Sequence, residues 1–153
     1  MSSIKIEAQQ IIHAPAEEVY ALLADYRVGH PSILPKPFFV SMSVDEGGQG
    51  AGTVGRLRMK TLGQERESRM LVTEPEPGHI LLESYPEAGI TTMFTIDPLR
   101  GPSPQTNLIF TTQMETSRGI KGLFERCFAP MILRRVYRQE FGLIEQYFNP
   151  PSS

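Results

Sequence analysis

The sequence contains no tryptophan and only one cysteine, Cys127. A lone thiol cannot close an intrachain disulfide, so a reducing compartment is expected. A surplus of either charge is missing too. There are 15 Lys and Arg against 17 Asp and Glu, for a formal charge of -2. That balance supplies no overall basic field and argues against nucleic acid as a partner. Nowhere do about 18 apolar residues follow one another, as a spanning helix requires, so no integral membrane association is expected. The opening Met1-Ser2-Ser3-Ile4-Lys5-Ile6-Glu7 has no apolar core of a signal peptide. A cytoplasmic protein is the expectation. The sequence has no CxxC, no H-E-x-x-H and no G-x-S-x-G. Zinc and hydrolase chemistry therefore lack a signature, and neither a metal nor a cofactor is expected.

What is present is a chain of 153 residues, 40% hydrophobic and 21% charged. That is enough to bury a real core. No repeat or long linker divides it. One domain is expected over 1–149, with a disordered tail at 150–153.

Ile4, Ile6 and Ala8 alternate with Lys5, Glu7 and Gln9, which predicts a half-buried strand over 4–12. Ala14-Pro15 opens a helix, because proline fits its first turn. Val19, Leu22, Leu23 and Tyr26 follow at helical spacing, and Glu17 and Glu18 suit the positive end of the dipole. Gly29 and Pro31 are expected to break that helix, with a short helical turn over 31–34. Six strands follow, at 38–44, 53–62, 65–73, 79–85, 90–96 and around Leu108 to Met114. Glycine- and proline-rich turns separate them. A long helix is expected over 119–148, with Ser117 as its N-cap and a kink or bend at Pro130. Thirty residues at ~1.5 Å each would span the domain, so this helix is the natural cover for the apolar face of the sheet.

Three features of this order carry a family resemblance. One is the stretch Ile12-His13-Ala14-Pro15-Ala16-Glu17-Glu18-Val19-Tyr20-Ala21-Leu22-Leu23-Ala24-Asp25-Tyr26. The others are Pro31 with Leu34-Pro35 and the aromatic-rich last helix. Together they resemble the START-like helix-grip superfamily, and within it the polyketide cyclase/dehydrase-like (SRPBCC) proteins. The resemblance implies an α+β helix-grip fold. In it a curved seven-stranded antiparallel sheet and two short helices join a long C-terminal helix over a deep, mostly apolar cavity. Members bind lipids, sterols, plant hormones and polyketides, and a minority catalyse cyclisation or dehydration. Many relatives carry a tryptophan after the first helix, where this chain has His30-Pro31.

Several signals have a bland reading beside a sharper one. Gly50-Ala51-Gly52-Thr53-Val54-Gly55 matches G-x-G-x-x-G, but a dinucleotide site needs a helix after it. Here an alternating strand pattern follows, so a tight hairpin loop is expected. His13, His30 and His79 are scattered, as surface or turn residues are. His30 stands out because its loop should border the cavity mouth. Cys127 falls on the apolar side of the last helix, where a buried inert thiol is expected. Arg134, Arg135 and Arg138, with Glu140 and Glu145 nearby, read as a solvated helix face. An anionic partner or a membrane surface is the sharper reading. Arg58 and Arg69 face outward by parity, and the facing of Glu83, Tyr85 and Thr92 is open.

The leading expectation is a non-catalytic binder or carrier of a hydrophobic small molecule (a lipid, polyketide or aromatic), as monomer or homodimer. Its lining would come from Tyr26, His30, Leu57, Met59 and Met70 in the first half of the chain. Tyr85, Phe94, Phe110, Thr112 and Met114 would add the later strands, and Phe124, Phe128 and Met131 the last helix. An enzyme of the cyclase or dehydratase kind is the alternative, with His30, Glu83 and Tyr85 as proton-transfer groups. A second alternative is an adaptor that binds protein or membrane through the last helix.

Overall fold

A computed structural model of the chain describes residues 2–61 and 63–152. The expected strand end at Leu62 and the end of the tail at Ser153 lie outside the described residues, as does Met1. The order is β1 (Ser3–Ile12), α1 (Ala16–Ala24), α2 (Gly29–Ser32), β2 (Phe39–Glu46), β3 (Val54–Thr61) and β4 (Gln64–Glu76). It continues with β5 (Ile80–Tyr85), a 3-10 turn (Pro86–Ala88), β6 (Ile90–Leu99), β7 (Gln105–Glu115) and α3 (Gly119–Phe148).

The strands form one curved antiparallel sheet in the order β1-β7-β6-β5-β4-β3-β2. The chain thus runs as a meander from β2 to β7 and closes by pairing its last strand with its first. Residues opposite each other in an antiparallel pair share a face. Across the middle strands the register sets Ile6 opposite Thr112, Thr112 opposite Thr92, Thr92 opposite Glu83 and Glu83 opposite Val72. All five are buried, so this row lies on the inner face. Arg58 and Arg69 take the other parity and pair with Glu67 and Arg56 on the outer face.

α1 ends at Ala24, five residues before the glycine expected to break it. The reason is Asp25. Its carboxylate takes the backbone N–H groups of Arg27, Val28 and Gly29 at 3.1–3.2 Å, and so turns the chain directly into α2. Burial works against the charge, yet the three donors hold the carboxyl below the usual aspartate range. The G-x-G-x-x-G segment is a loop with Gly50 and Gly52 at positive φ, and it runs into β3 rather than a helix. Tyr26 N–H donates to Gly48 O and Gly50 N–H to Ala24 O, both at 2.9 Å, which fastens this loop to the end of α1.

α3 covers the whole expected range and contains Pro130. Its cap residue is Arg118 rather than Ser117, with no side-chain capping bond. Ser117 instead gives its N–H to Glu125. The second half of α3 packs on the sheet through Val136, Tyr137, Glu140, Phe141 and Ile144. Phe110 is the centre of that contact. Its ring lies 4.7 Å from Phe94, 5.3 Å from Tyr137 and 4.6 Å from Phe141, centroid to centroid. The far end is tied down by Glu145, which accepts from the His13 backbone N–H at 3.0 Å, and by Asn149, which donates to His13 O at 2.9 Å.

Phe110 is fully buried and touches three aromatic rings. Phe110→Ala should therefore cost about 3–5 kcal/mol of unfolding free energy. Urea denaturation checks this. A loss below about 1 kcal/mol would mean that the Phe110 ring is not the centre of the contact.

Candidate functional site

Beneath α3 the inner face of the sheet is apolar except for one row. β5 supplies Glu83, β6 Thr92 and β7 Thr112, held side by side by the register. The parity left open by the sequence is thereby settled. Glu83, Tyr85 and Thr92 all point inward, at 4, 5 and 7% exposure.

Glu83 is the hub. Its Oε2 accepts from the Tyr26 hydroxyl at 2.8 Å and its Oε1 from the Tyr85 hydroxyl at 2.6 Å. A buried carboxylate survives only when its oxygens are satisfied, and two phenol donors do this. Burial, followed by the adjoining Glu83 charge, holds both phenols well above the usual tyrosine range. His30 completes this side. It is 2% exposed on α2, with Nε2 3.6 Å from Glu83 Oε2. That spacing is too long for a hydrogen bond. Its Nδ1 lies 2.7 Å from Leu23 O. A carbonyl can only accept, so Nδ1 carries a hydrogen and Nε2 is the nitrogen turned to the carboxylate. Tyr26 stacks on the imidazole at 4.8 Å, and Phe94 meets it edge-on at 5.6 Å.

A second chain of hydroxyls adjoins the first. Thr92 and Thr112 are hydrogen-bonded at 3.0 Å, and Thr112 bonds the Tyr137 hydroxyl of α3. Burial pushes Tyr137 up to about 12. One turn further along α3 stands Glu140, 2% exposed. Burial, and then the charge of Glu83, raise its carboxyl well above the usual glutamate range, with no hydrogen bond entering. Such burial favours the protonated, neutral form of the acid. Arg134, Arg135 and Arg138 are exposed, as a solvated face requires, but Glu140 is buried and does not belong to that face. Val136, Glu140 and Ile144 recur every fourth residue, and that spacing alone could have placed the acid on the buried stripe.

Of the expected lining residues, Tyr26, His30, Leu57, Met70, Tyr85, Phe94, Phe110 and Thr112 are brought together in the interior. Met59 and Met114 are partly buried nearer the ends of their strands. Phe124, Phe128 and Met131 are not brought there. They are 61, 45 and 60% exposed, because the first half of α3 turns its apolar stripe away from the sheet. Cys127 shares that stripe and is exposed, not buried. His13 and His79 are surface groups, as expected, whereas His30 is interior.

Two shallow surface hollows measure about 380 and 420 Å³. The first is lined by charged groups of the outer sheet face, Arg56 and Arg69 among them. The second lies on α3 at Met131, Arg135, Arg138 and Gln139. Neither opens between sheet and helix, where Phe94, Phe110, Tyr137 and Phe141 pack against one another instead. Among the described residues, no group of three or more His, Cys, Asp or Glu could hold a metal ion, and no helix is long and apolar enough to cross a membrane.

The neutral Glu140 makes stability depend on pH. Its folded pKa is raised, so its contribution is complete below the unfolded value and fades as pH climbs through the folded one. Glu140→Gln, which cannot ionise, should gain stability relative to the parent as pH rises above the unfolded glutamate value of about 4.3, until the folded acid itself ionises. The gap should grow by up to about 1.4 kcal/mol per pH unit. Urea titrations across the pH range measure it, and a constant gap would contradict a buried neutral acid.

A family model described as polyketide cyclase / dehydrase and lipid transport matches residues 3–149. Among solved structures, the KanY protein (ms6282) solution structure is 29% identical over 97% of this chain and 99% of its own, with a TM-score of 0.80. The Zhui aromatase/cyclase from Streptomyces sp. R1128 is 17% identical over 97% and 94%, with a TM-score of 0.76. A START superfamily protein from Mycobacterium smegmatis is 18% identical over 94% and 98%, with a TM-score of 0.70. These last two show the shared fold. No match was found among curated proteins. With a sheet gripping one long helix and a family match over nearly its whole length, the chain belongs to the polyketide cyclase / dehydrase and lipid transport family.

Proposed function

We propose that the chain binds a hydrophobic small molecule carrying a carbonyl or hydroxyl group, between the sheet and α3. The observation that carries this reading is the polar row of Glu83, Thr92 and Thr112, set in an apolar inner face with the acid Glu140 opposite it. Buried polar groups cost stability unless they are paired, and ligand sites characteristically place a few of them among apolar walls. Family membership supports the hydrophobic class of ligand. Under this proposal Leu57, Met70, Phe94 and Phe110 provide the apolar walls, and Met59 and Met114 stand toward the rim. Tyr26, His30, Tyr85 and Thr112 read the polar group. The interior aromatic rings separate as the ligand enters. Apolar burial worth about 25 cal/mol per Å² drives entry, less the cost of parting those rings.

Native mass spectrometry with panels of aromatic ketones, phenols and fatty acids tests the reading. One-to-one complexes are expected with the aromatic carbonyl or phenol members. Glu83→Gln disturbs the tyrosine pair that faces the ligand and should weaken binding about 10–100-fold. No complex with any panel member, or unchanged affinity in the variant, counts against the site.

One observation favours a second reading, that of a cyclase or dehydratase. His30 of α2 and the Glu83–Tyr85 pair of β5, far apart in sequence, share one buried cluster. In a dehydration the His30 Nε2 lone pair would take a proton from the carbon beside a carbonyl. Neutral Glu140 would give its proton to the departing hydroxyl. A carbon–carbon double bond forms as water leaves. Glu140→Gln should then cut turnover of a β-hydroxy carbonyl substrate about 100- to 10,000-fold while binding survives. Mass-spectrometric detection of the dehydrated product reads this out, and equal turnover by the variant would remove the acid from that role.

A further inference from the structure

Five exposed large apolar side chains gather on the first half of α3. Ile120, Leu123, Phe124, Phe128 and Met131 are 80, 63, 61, 45 and 60% exposed, and Cys127 beside them is exposed as well. They recur in alternating steps of three and one, which puts all six on one face of α3. At roughly 100° per residue, that face is opposite the one carrying Gly122, Tyr137 and Glu140, which are buried. The three arginines Arg134, Arg135 and Arg138 continue the same steps for two more turns, all exposed. A hollow of about 420 Å³ sits at the junction, lined by Met131, Arg135, Arg138 and Gln139. The charge on this stretch is one-sided. Between Gly119 and Gln139 the cations Lys121, Arg126, Arg134, Arg135 and Arg138 meet a single acid, Glu125, in a chain whose formal charge is -2.

We propose that this face of α3 docks on an anionic lipid surface. The apolar turns enter the acyl boundary, and the arginine turns stay at the depth of the phosphates. This is how amphipathic helices lie in an interface, and a guanidinium fork suits phosphate oxygens. The hollow between Met131 and the two arginines accepts a headgroup where the apolar and cationic turns meet. A second copy of the chain fits the face less well. A parallel pairing would set arginine against arginine, whereas a layer of lipid phosphates meets all three arginines at once. The surface stands independently of any ligand in the interior.

The test is flotation of the full chain with phosphatidylcholine vesicles, with and without phosphatidylserine. Association is expected only with the anionic vesicles, and it should weaken as salt rises. A polarity-sensitive dye on Cys127 should shift to the blue on the same vesicles. Reversing three cations, Arg134→Glu with Arg135→Glu and Arg138→Glu, should lower partitioning on the order of 100-fold or more. Phe124→Asp with Phe128→Asp should abolish the dye shift. Both variants alter exposed side chains, so unchanged thermal unfolding is the control for folding. Three results overturn the proposal. One is no association with anionic vesicles. Another is equal association with neutral ones. The third is a dimer in size-exclusion chromatography that the Phe124 and Phe128 variants dissolve, which would make the face a self-interface.

Discussion

The contact between Phe110 and the Tyr137–Phe141 turn decides what the interior can be. It brings α3 onto the sheet at the strand that also carries Thr112, and one helical turn sets the geometry of the rest. Tyr137 reaches the threonine hydroxyls, and Glu140 is left under the helix within the field of Glu83. Without that aromatic contact nothing would exclude water from the polar row. Its members would be ordinary solvated side chains. With it, two carboxyls share a low-dielectric space, and one of them keeps its proton.

The polar cluster is divided between a rigid half and a half that depends on the helix. Glu83, Tyr85, Thr92 and Thr112 stand on neighbouring strands whose register fixes their spacing. Tyr26 and His30 come from the α1–α2 corner, which Asp25 and the Gly48–Gly50 backbone hold in place. Tyr137 and Glu140 belong to α3. Any movement of that helix changes the second group against the first.

Much of this architecture was legible in the sequence. Alternation of apolar and polar residues marked β1, β3, β4 and β7, and glycine- and proline-rich turns bounded the other strands within a few positions. The bounds of α3 followed from its continuous helical spacing. The Ala14-Pro15 step marked the start of α1 to within a residue or two. Its end was hidden, since Asp25 stops the helix through its side chain rather than through a glycine. The site was only half legible. His30, Glu83 and Tyr85 were named as one group, but a single sequence could not settle the facing of β5. Phe124, Phe128 and Met131 were expected inward because α3 has two apolar stripes on opposite faces. The first half buries only Gly122, on the face that also carries Tyr137 and Glu140, and composition cannot tell which stripe meets the sheet. Glu140 was masked by the neighbouring arginines, although Val136 and Ile144 bracket it at four-residue spacing.

The central claim is that a neutral acid lies beneath α3 in the field of the Glu83 carboxylate. Carbon-13 NMR of the glutamate side-chain carboxyls, followed across pH on the folded protein, measures it most directly. The Glu140 resonance should stay at its protonated position well past the pH at which the exposed glutamates have titrated. If it titrated together with them, near the ordinary value of about 4.3, Glu140 would be a solvated group and the account of the interior would be wrong.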